Sequence, residues 1–284
     1  MQRVFIVGCP RSGTTLVQAL LARYPGVQSF PETRFFEALL GGVERRWKDP
    51  DAKHDSRWYH RRGFAHAWGR DRLRELESAL LGNTRTAPPR MVNACIRRYV
   101  ALLDRTTQAH GRAIWVEKTP NHLMYIDEIA NHLPDARFVH VMRNGEDVVA
   151  SIIDADLNQP TRAFRGGIKR WVRRWNHAVG VQLACLGDER HHIICLEDMV
   201  EDFPREWRRL CAFLGLDSDV PLLPEPCSDI ANISTEPWKC HALSGIVQTP
   251  ARKSDSLFGP LIREWMRTSL HPYADIRAKV ASRG

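Results

Sequence analysis

The stretch Gly8-Cys9-Pro10-Arg11-Ser12-Gly13-Thr14-Thr15 has residue types and a spacing that can hold an anion. Its glycines follow the G-x-x-x-x-G spacing of a phosphate loop, and Thr15 stands where that motif carries Ser or Thr. Backbone N–H groups at a helix start, the hydroxyls of Thr14 and Thr15, and the Arg11 guanidinium would surround a phosphate or sulfate, with Ser12 and Gly13 in the same loop. Thr14 occupies the place of the motif's lysine. That lysine serves the β- and γ-phosphates of a nucleoside triphosphate, and the hydroxyl beside it serves the magnesium ion. A loop without it predicts a ligand with less charge to neutralise, held without a metal.

Such a loop works only between a strand and a helix. Val4-Phe5-Ile6-Val7 is an unbroken apolar run, as expected of a strand buried on both faces of a parallel sheet. Leu16, Val17, Leu20 and Leu21 then share one helical face, and Tyr24-Pro25-Gly26 ends the helix. Val27 to Phe30 predicts a second strand. Ile114-Trp115-Val116 predicts a third, before a helix near Asn121 to Leu133. Phe138 to Met142 precedes a helix from Gly145, and Ile193 to Leu196 precedes a helix around Pro204 to Leu214. This alternation gives an α/β fold, a P-loop-type parallel sheet flanked by helices with right-handed crossovers. Residues from about 41 to 112 lack strand signals, hold helical patches such as Arg72 to Leu81, and read as a helical insertion over the sheet. The irregular stretch from about 217 to 260 reads as a C-terminal lid segment. The whole, 1–284, is expected to form one domain. Pro31-Glu32-Thr33-Arg34 follows the second strand and Glu117-Lys118-Thr119-Pro120 the third, so both reach the carboxyl edge of the sheet, where ligands of such folds bind.

Pro10 to Thr15 resembles the 5′-phosphosulfate-binding motif of sulfotransferases that use 3′-phosphoadenosine 5′-phosphosulfate (PAPS). In that family an arginine ending a strand and a serine eight residues later bind the 3′-phosphate. Arg143 and Ser151 match that pair. A guanidinium can clamp a phosphate in bidentate fashion, and a helix hydroxyl adds a further contact. Asn144 fits an N-cap, with Glu146 and Asp147 in the first turn. Glu32 with Arg34 resembles the Glu-Thr-Arg segment of tyrosylprotein sulfotransferases, particularly soluble bacterial RaxST-like forms. The resemblance implies Glu32 as general base, Lys118 and Arg11 as the cations facing the transferring group, and Arg34 as a substrate-binding residue. It implies PAPS as donor, PAP as product, no metal, and a tyrosine flanked by acidic residues in a peptide or protein as acceptor. It covers residues 2 to about 40 and 113 to about 215. Leu196 stands where the family has a tyrosine. The lid does not align, which leaves Arg252, Lys253 and Ser256 as candidates to close over the 3′-phosphate. Alternatives are an acceptor hydroxyl on a carbohydrate, lipid or small molecule and, from another class, a P-loop nucleotide kinase or nucleotide-binding module. A plain surface ion pair is the alternative for Glu32 and Arg34.

Composition narrows the remaining classes. With 43% hydrophobic and 26% charged residues the chain is that of a globular protein. No apolar run suits a signal peptide or a membrane helix, which predicts a cytoplasmic protein without a membrane partner. Seven scattered cysteines without a C-x-x-C pair indicate neither a zinc site nor a disulfide framework, and read as reduced thiols. A net charge of +8 attracts polyanions, and Arg34, Arg45, Arg46, Arg61 and Arg62 are expected near the mouth of the site, where they would steer an acidic peptide. Lys169 to Trp175 interleaves basic and aromatic residues, but Trp171 and Trp175, four apart, predict an apolar helix stripe with solvated arginines and no nucleic-acid partner. A homodimer is compatible with the sequence.

Overall fold

Five strands, all parallel, form one sheet in the order β2-β3-β1-β4-β5: β1 (Gln2–Gly8), β2 (Val27–Phe30), β3 (Ile114–Lys118), β4 (Arg137–Met142) and β5 (His191–Cys195). The computed structural model describes residues 1–48, 63–82, 86–158, 164–226, 247 and 253–283. Strand β1 is central, with Ile6 opposite Lys118 on one side and Gly8 opposite Val141 on the other. Its apolar run is continuous because each face packs into its own core. Phe5 and Val7 join Trp115 and Phe138 in one, while Val4 and Ile6 join Val116, Val139 and Ile194 in the other.

The helices are α1 (Thr14–Ala22), α2 (Phe35–Leu40), α3 (Val43–Lys48), α4 (Ala67–Leu81), α5 (Val92–Ala109), α6 (Ile126–His132), α7 (Gly145–Asn158), α8 (Gly167–Ala184), α9 (Leu196–Glu201), α10 (Phe203–Leu214), α11 (Lys253–Leu257), α12 (Pro260–Ser269) and α13 (Tyr273–Ala281). The predicted sheet and its order of strands and helices hold. Three local expectations change. The helix after β3 starts as a 3₁₀ turn, Pro120–Tyr125, before α6; Pro120 supplies no N–H to the first turn. Strand β5 runs from His191 to Cys195, and Leu196 already opens α9. Finally, Trp171 and Trp175 are buried as the stripe predicts, but Arg174 is buried with them. Its guanidinium lies over the rings of Trp47 and Trp171, 5.5 and 5.0 Å from their centroids, and donates to Glu44 Oε2 at 2.6 Å.

Within the predicted insertion, one antiparallel bridge, Phe64 to Met91, joins the segments that lead into α4 and α5, and there is no strand among the described residues. Helix α4 packs tightly on α2: a Cβ at Gly69 would lie 2.4 Å from Leu39 Cα, so only glycine fits there. Arg46 is buried against the Met124 carbonyl and Glu128 and does not line the mouth of the site; Arg61, Arg62 and Arg252 lie outside the described residues. No helix among the described residues is long and apolar enough to cross a membrane.

Candidate active site

Parallel strands deliver the ends of β1 to β5 to one edge, and the candidate residues gather there. The loop after β1 turns through Gly13 (φ 97°) into α1, whose N-terminus has no side-chain cap and no acidic residue in its first turn. Such an end favours an anion. Thr14 and Thr15 are buried beneath it, and Ser12 Oγ is buried without a hydrogen-bond partner among the described residues. Arg11 (φ 72°) and Arg34 (φ 49°) are the non-glycine residues with positive φ among those described. Backbone strain is thus stored at two of the residues singled out from the sequence.

Arg11 reaches across the loop, and its Nε donates to Ser151 Oγ at 3.1 Å. This bond joins the loop after β1 to α7, so the two motifs expected to hold anions lie side by side. Arg143, at the end of β4, is buried nearby, and its Nε has no hydrogen-bond partner among the described residues. Burial lowers the Arg11 pKa, and repulsion from Arg143 lowers it further. Two guanidiniums close enough to disfavour each other are suited to a shared anion. Asn144 caps α7 as predicted, its Oδ1 accepting from the N–H of Glu146 at 2.9 Å. Glu197 accepts from the Asn144 N–H at 3.0 Å and from the Tyr273 hydroxyl, so α9 and α13 both support this loop. Lys253 pairs with Asp154, one turn beyond Ser151, whereas Ser256 is exposed and bonds only to the Lys253 carbonyl among the hydrogen bonds resolved for it.

On the other side of β1, Lys118 is buried and its Nζ lies 2.5 Å from Glu32 Oε1. Arg34, 61% exposed, is 3.5 Å from the second oxygen of the same carboxylate. Glu32 is therefore more than one half of a surface pair: its close partner is a buried ammonium. The loop carrying Glu32 is fixed from below by Glu117, a residue expected at this edge of the sheet but with no role assigned from its type and spacing. The buried Glu117 carboxylate accepts from Thr33 N–H at 3.0 Å, Thr33 Oγ1 at 2.9 Å, Thr119 Oγ1 at 2.5 Å and His122 Nδ1 at 3.0 Å. His122 Nε2 accepts from the Phe36 N–H at 3.4 Å, so the proton of this imidazole sits on Nδ1. Burial alone would raise the Glu117 pKa, but His122 and the other donors leave it below the ordinary value. From α4, Arg72 donates to the carbonyls of Glu32 and Thr33 at 3.0 and 2.5 Å. Two charged residues, Glu117 and Lys118, closing an apolar strand were the available signal for Glu117. Nothing local marked Arg72.

Comparisons with known proteins identify the family and the fold. The family model described as "Sulfotransferase family" matches residues 3–220. The chain is 26% identical over 226 residues to a protein-tyrosine sulfotransferase of Drosophila melanogaster, covering 78% of this chain and 38% of that protein. It is 24% identical over 228 residues to protein-tyrosine sulfotransferase A of Caenorhabditis elegans, covering 78% and 51%. The chain thus spans about half or less of the length of these relatives. In fold it is similar to the sulfotransferase domain of the Synechococcus PCC 7002 olefin synthase, with a TM-score of 0.52, 18% identity, and 95% and 94% of the two chains covered. Sulfotransferase STF9 of Mycobacterium avium gives a TM-score of 0.51 at 14% identity, with 94% and 74% covered.

Proposed function

Because the chain belongs to the sulfotransferase family, we propose that it transfers a sulfuryl group from PAPS to an acceptor hydroxyl, and that the acceptor is a tyrosine flanked by acidic residues in a peptide. The observation that carries the donor assignment is the Arg11 to Ser151 hydrogen bond, which links the loop before an uncapped helix N-terminus to the helix that follows Arg143. PAPS has two separated anionic ends, and the protein offers two joined anion subsites with buried polar atoms, Ser12 Oγ and Arg143 Nε, in need of partners. Ser12, Gly13, Thr14, Thr15 and Arg11 would hold the 5′-phosphosulfate, and Arg143 and Ser151 the 3′-phosphate. Lys253, beside Asp154 on the helix of Ser151, would stand near that phosphate.

PAPS supplies a sulfuryl group on a phosphosulfate bridge; the acceptor oxygen bonds to sulfur as the bridging S–O bond breaks and PAP leaves. Glu32 accepts the phenolic proton. A phenol near pKa 10 and a carboxylate near 4.3 differ by about six pH units, so early transfer is unfavourable. An ammonium at 2.5 Å favours the charged carboxylate and argues against a Glu32 neutralised by burial. Proton transfer therefore follows bonding of oxygen to sulfur. Lys118 and Arg11 stabilise charge on the departing phosphate and the sulfuryl oxygens. Because Lys118 already holds Glu32, one buried cation positions the base and faces the leaving charge.

The peptide acceptor is supported by the similarity to protein-tyrosine sulfotransferases and by the exposed Arg34 beside Glu32. The test is kcat/KM with PAPS for a tyrosine peptide with flanking Asp residues and for its Asn counterpart, at low and high salt, reading sulfation by mass. The Asp peptide is expected to react faster at low salt, with the advantage shrinking as salt screens the charges. Equal rates at low salt, or sulfation of a glycan or small phenol with neither peptide modified, would overturn the peptide acceptor and leave the donor assignment.

A further inference from the structure

Three metal-ligating side chains that the reaction does not use meet on the helix-covered side of β4 and β5. His140 lies within β4, His191 opens β5, and Cys185 caps the end of α8. One ligand atom from each lies within 4.8 Å of the other two. His140 Nε2 and His191 Nδ1 are 2.8 Å apart and share a single proton, while His140 Nδ1 is buried with no hydrogen-bond partner among the described residues. That unpaired nitrogen is the outer one of the His140 ring; Nε2, which faces His191, is the atom turned toward the cluster. Asp188 Oδ2 lies 3.9 Å from His191 Nε2, the nitrogen turned away from His140, and is itself paired with Arg190 at 2.9 Å.

We propose that His140, Cys185 and His191 form a binding site for a thiophilic divalent cation, zinc in the first instance. Two imidazoles and a thiolate are a donor set that zinc prefers over magnesium or calcium. Two nitrogens bound to tetrahedral zinc stand about 3.3 Å apart, so the rings need to part by roughly half an ångström from their hydrogen-bonded spacing. On binding, the sulfur–metal bond forms as the thiol proton and the proton shared by the imidazoles are redistributed to solvent and to the outer ring nitrogens; no oxidation is involved. The ion would tie the end of α8 to β4 and β5, a structural role at a distance from Glu32 and the phosphate loop.

The full chain, freed of metal by a chelator and desalted, would be titrated with cobalt(II) and then zinc. A thiolate-to-cobalt charge-transfer absorption saturating at one equivalent, displaced by zinc, and a rise in melting temperature with zinc are expected. Cys185→Ser should abolish the charge-transfer band, and His191→Gln should weaken zinc binding by ~10-fold or more. No thiolate–cobalt band in the unmodified chain overturns the proposal, as does a band that persists in Cys185→Ser. Since the unmodified chain alone can exclude the site, a variant that fails to fold leaves the test intact.

Discussion

In the proposed reaction Arg11 and Glu32 act differently, so their loss should be felt at different points. Arg11 belongs to the joined anion surface and would contact the donor before and during transfer, so Arg11→Ala is expected to weaken PAP binding and lower the rate together. Glu32→Gln keeps the shape of the side chain and should lower kcat by ~10²-fold or more with PAP affinity nearly unchanged. Turnover at the original rate in Glu32→Gln would remove it from the chemistry. Calorimetric titration with PAP beside steady-state kinetics separates the two patterns. At this scale the sequence was most legible where residue type and spacing carry the chemistry: Arg11, Arg143 and Ser151 lie together as their motifs imply. It was least legible where a residue acts through another. Glu117 and Arg72 touch Glu32's loop across 84 residues for the Thr33–Glu117 bond and 40 residues for the Arg72–Glu32 bond, and only the fold creates those contacts.

Among the elements, α2 starts directly from the Glu32 loop and carries an acidic side chain at a cost to stability. Glu37 accepts from Asn121 Nδ2 at 3.1 Å through one oxygen, while Oε1 is buried with no partner among the described residues. Burial raises its pKa above 4.5, and the nearby Glu32 adds to the rise. A carboxyl whose folded pKa is raised contributes most below its unfolded value, and that contribution is lost as pH rises through the folded one. Glu37→Gln should therefore raise the melting temperature at pH 7, and the gain should vanish below about 4.5, where Glu37 is itself neutral. A constant difference across pH would assign the effect to packing. The elements were readable from apolar runs because β1 and its neighbours are buried on both faces. Element ends were less so: Pro120 and Leu196 shift a boundary through backbone geometry that apolar periodicity does not encode. Arg174 misleads for a different reason, since two indole faces and Glu44 make burial of its charge tolerable.

For the molecule as a whole, the two joined anion subsites and the missing loop lysine predict which nucleotide stabilises the fold. PAP should raise the melting temperature far more than ATP at equal concentration; a ligand at 100 times its Kd adds about 2.7 kcal/mol. Equal shifts, or turnover that requires added magnesium, would favour the kinase alternative. A melting series with PAP, ADP and ATP decides this without any knowledge of the acceptor. The positive surface contributes on another level. A net charge of +8 acts on encounter rates over about 8 Å at 0.15 M salt, whereas the buried arginines act only on what has already bound.

The central place of β1 has a bearing on how the protein is made. Leaving the ribosome, this strand and its loop appear long before β3 and β4, whose residues pair with Gln2 to Gly8 from positions 114–118 and 137–141. Both edges of the strand must wait for partners more than 100 residues away, and such distant pairings slow folding. Until Arg143 and Ser151 have been synthesised, the loop can present Arg11 but not the surface that Arg11 completes. A nascent chain halted before β4 should therefore lack PAP binding, and the first appearance of that binding during synthesis marks the moment at which the sheet has closed around its middle strand.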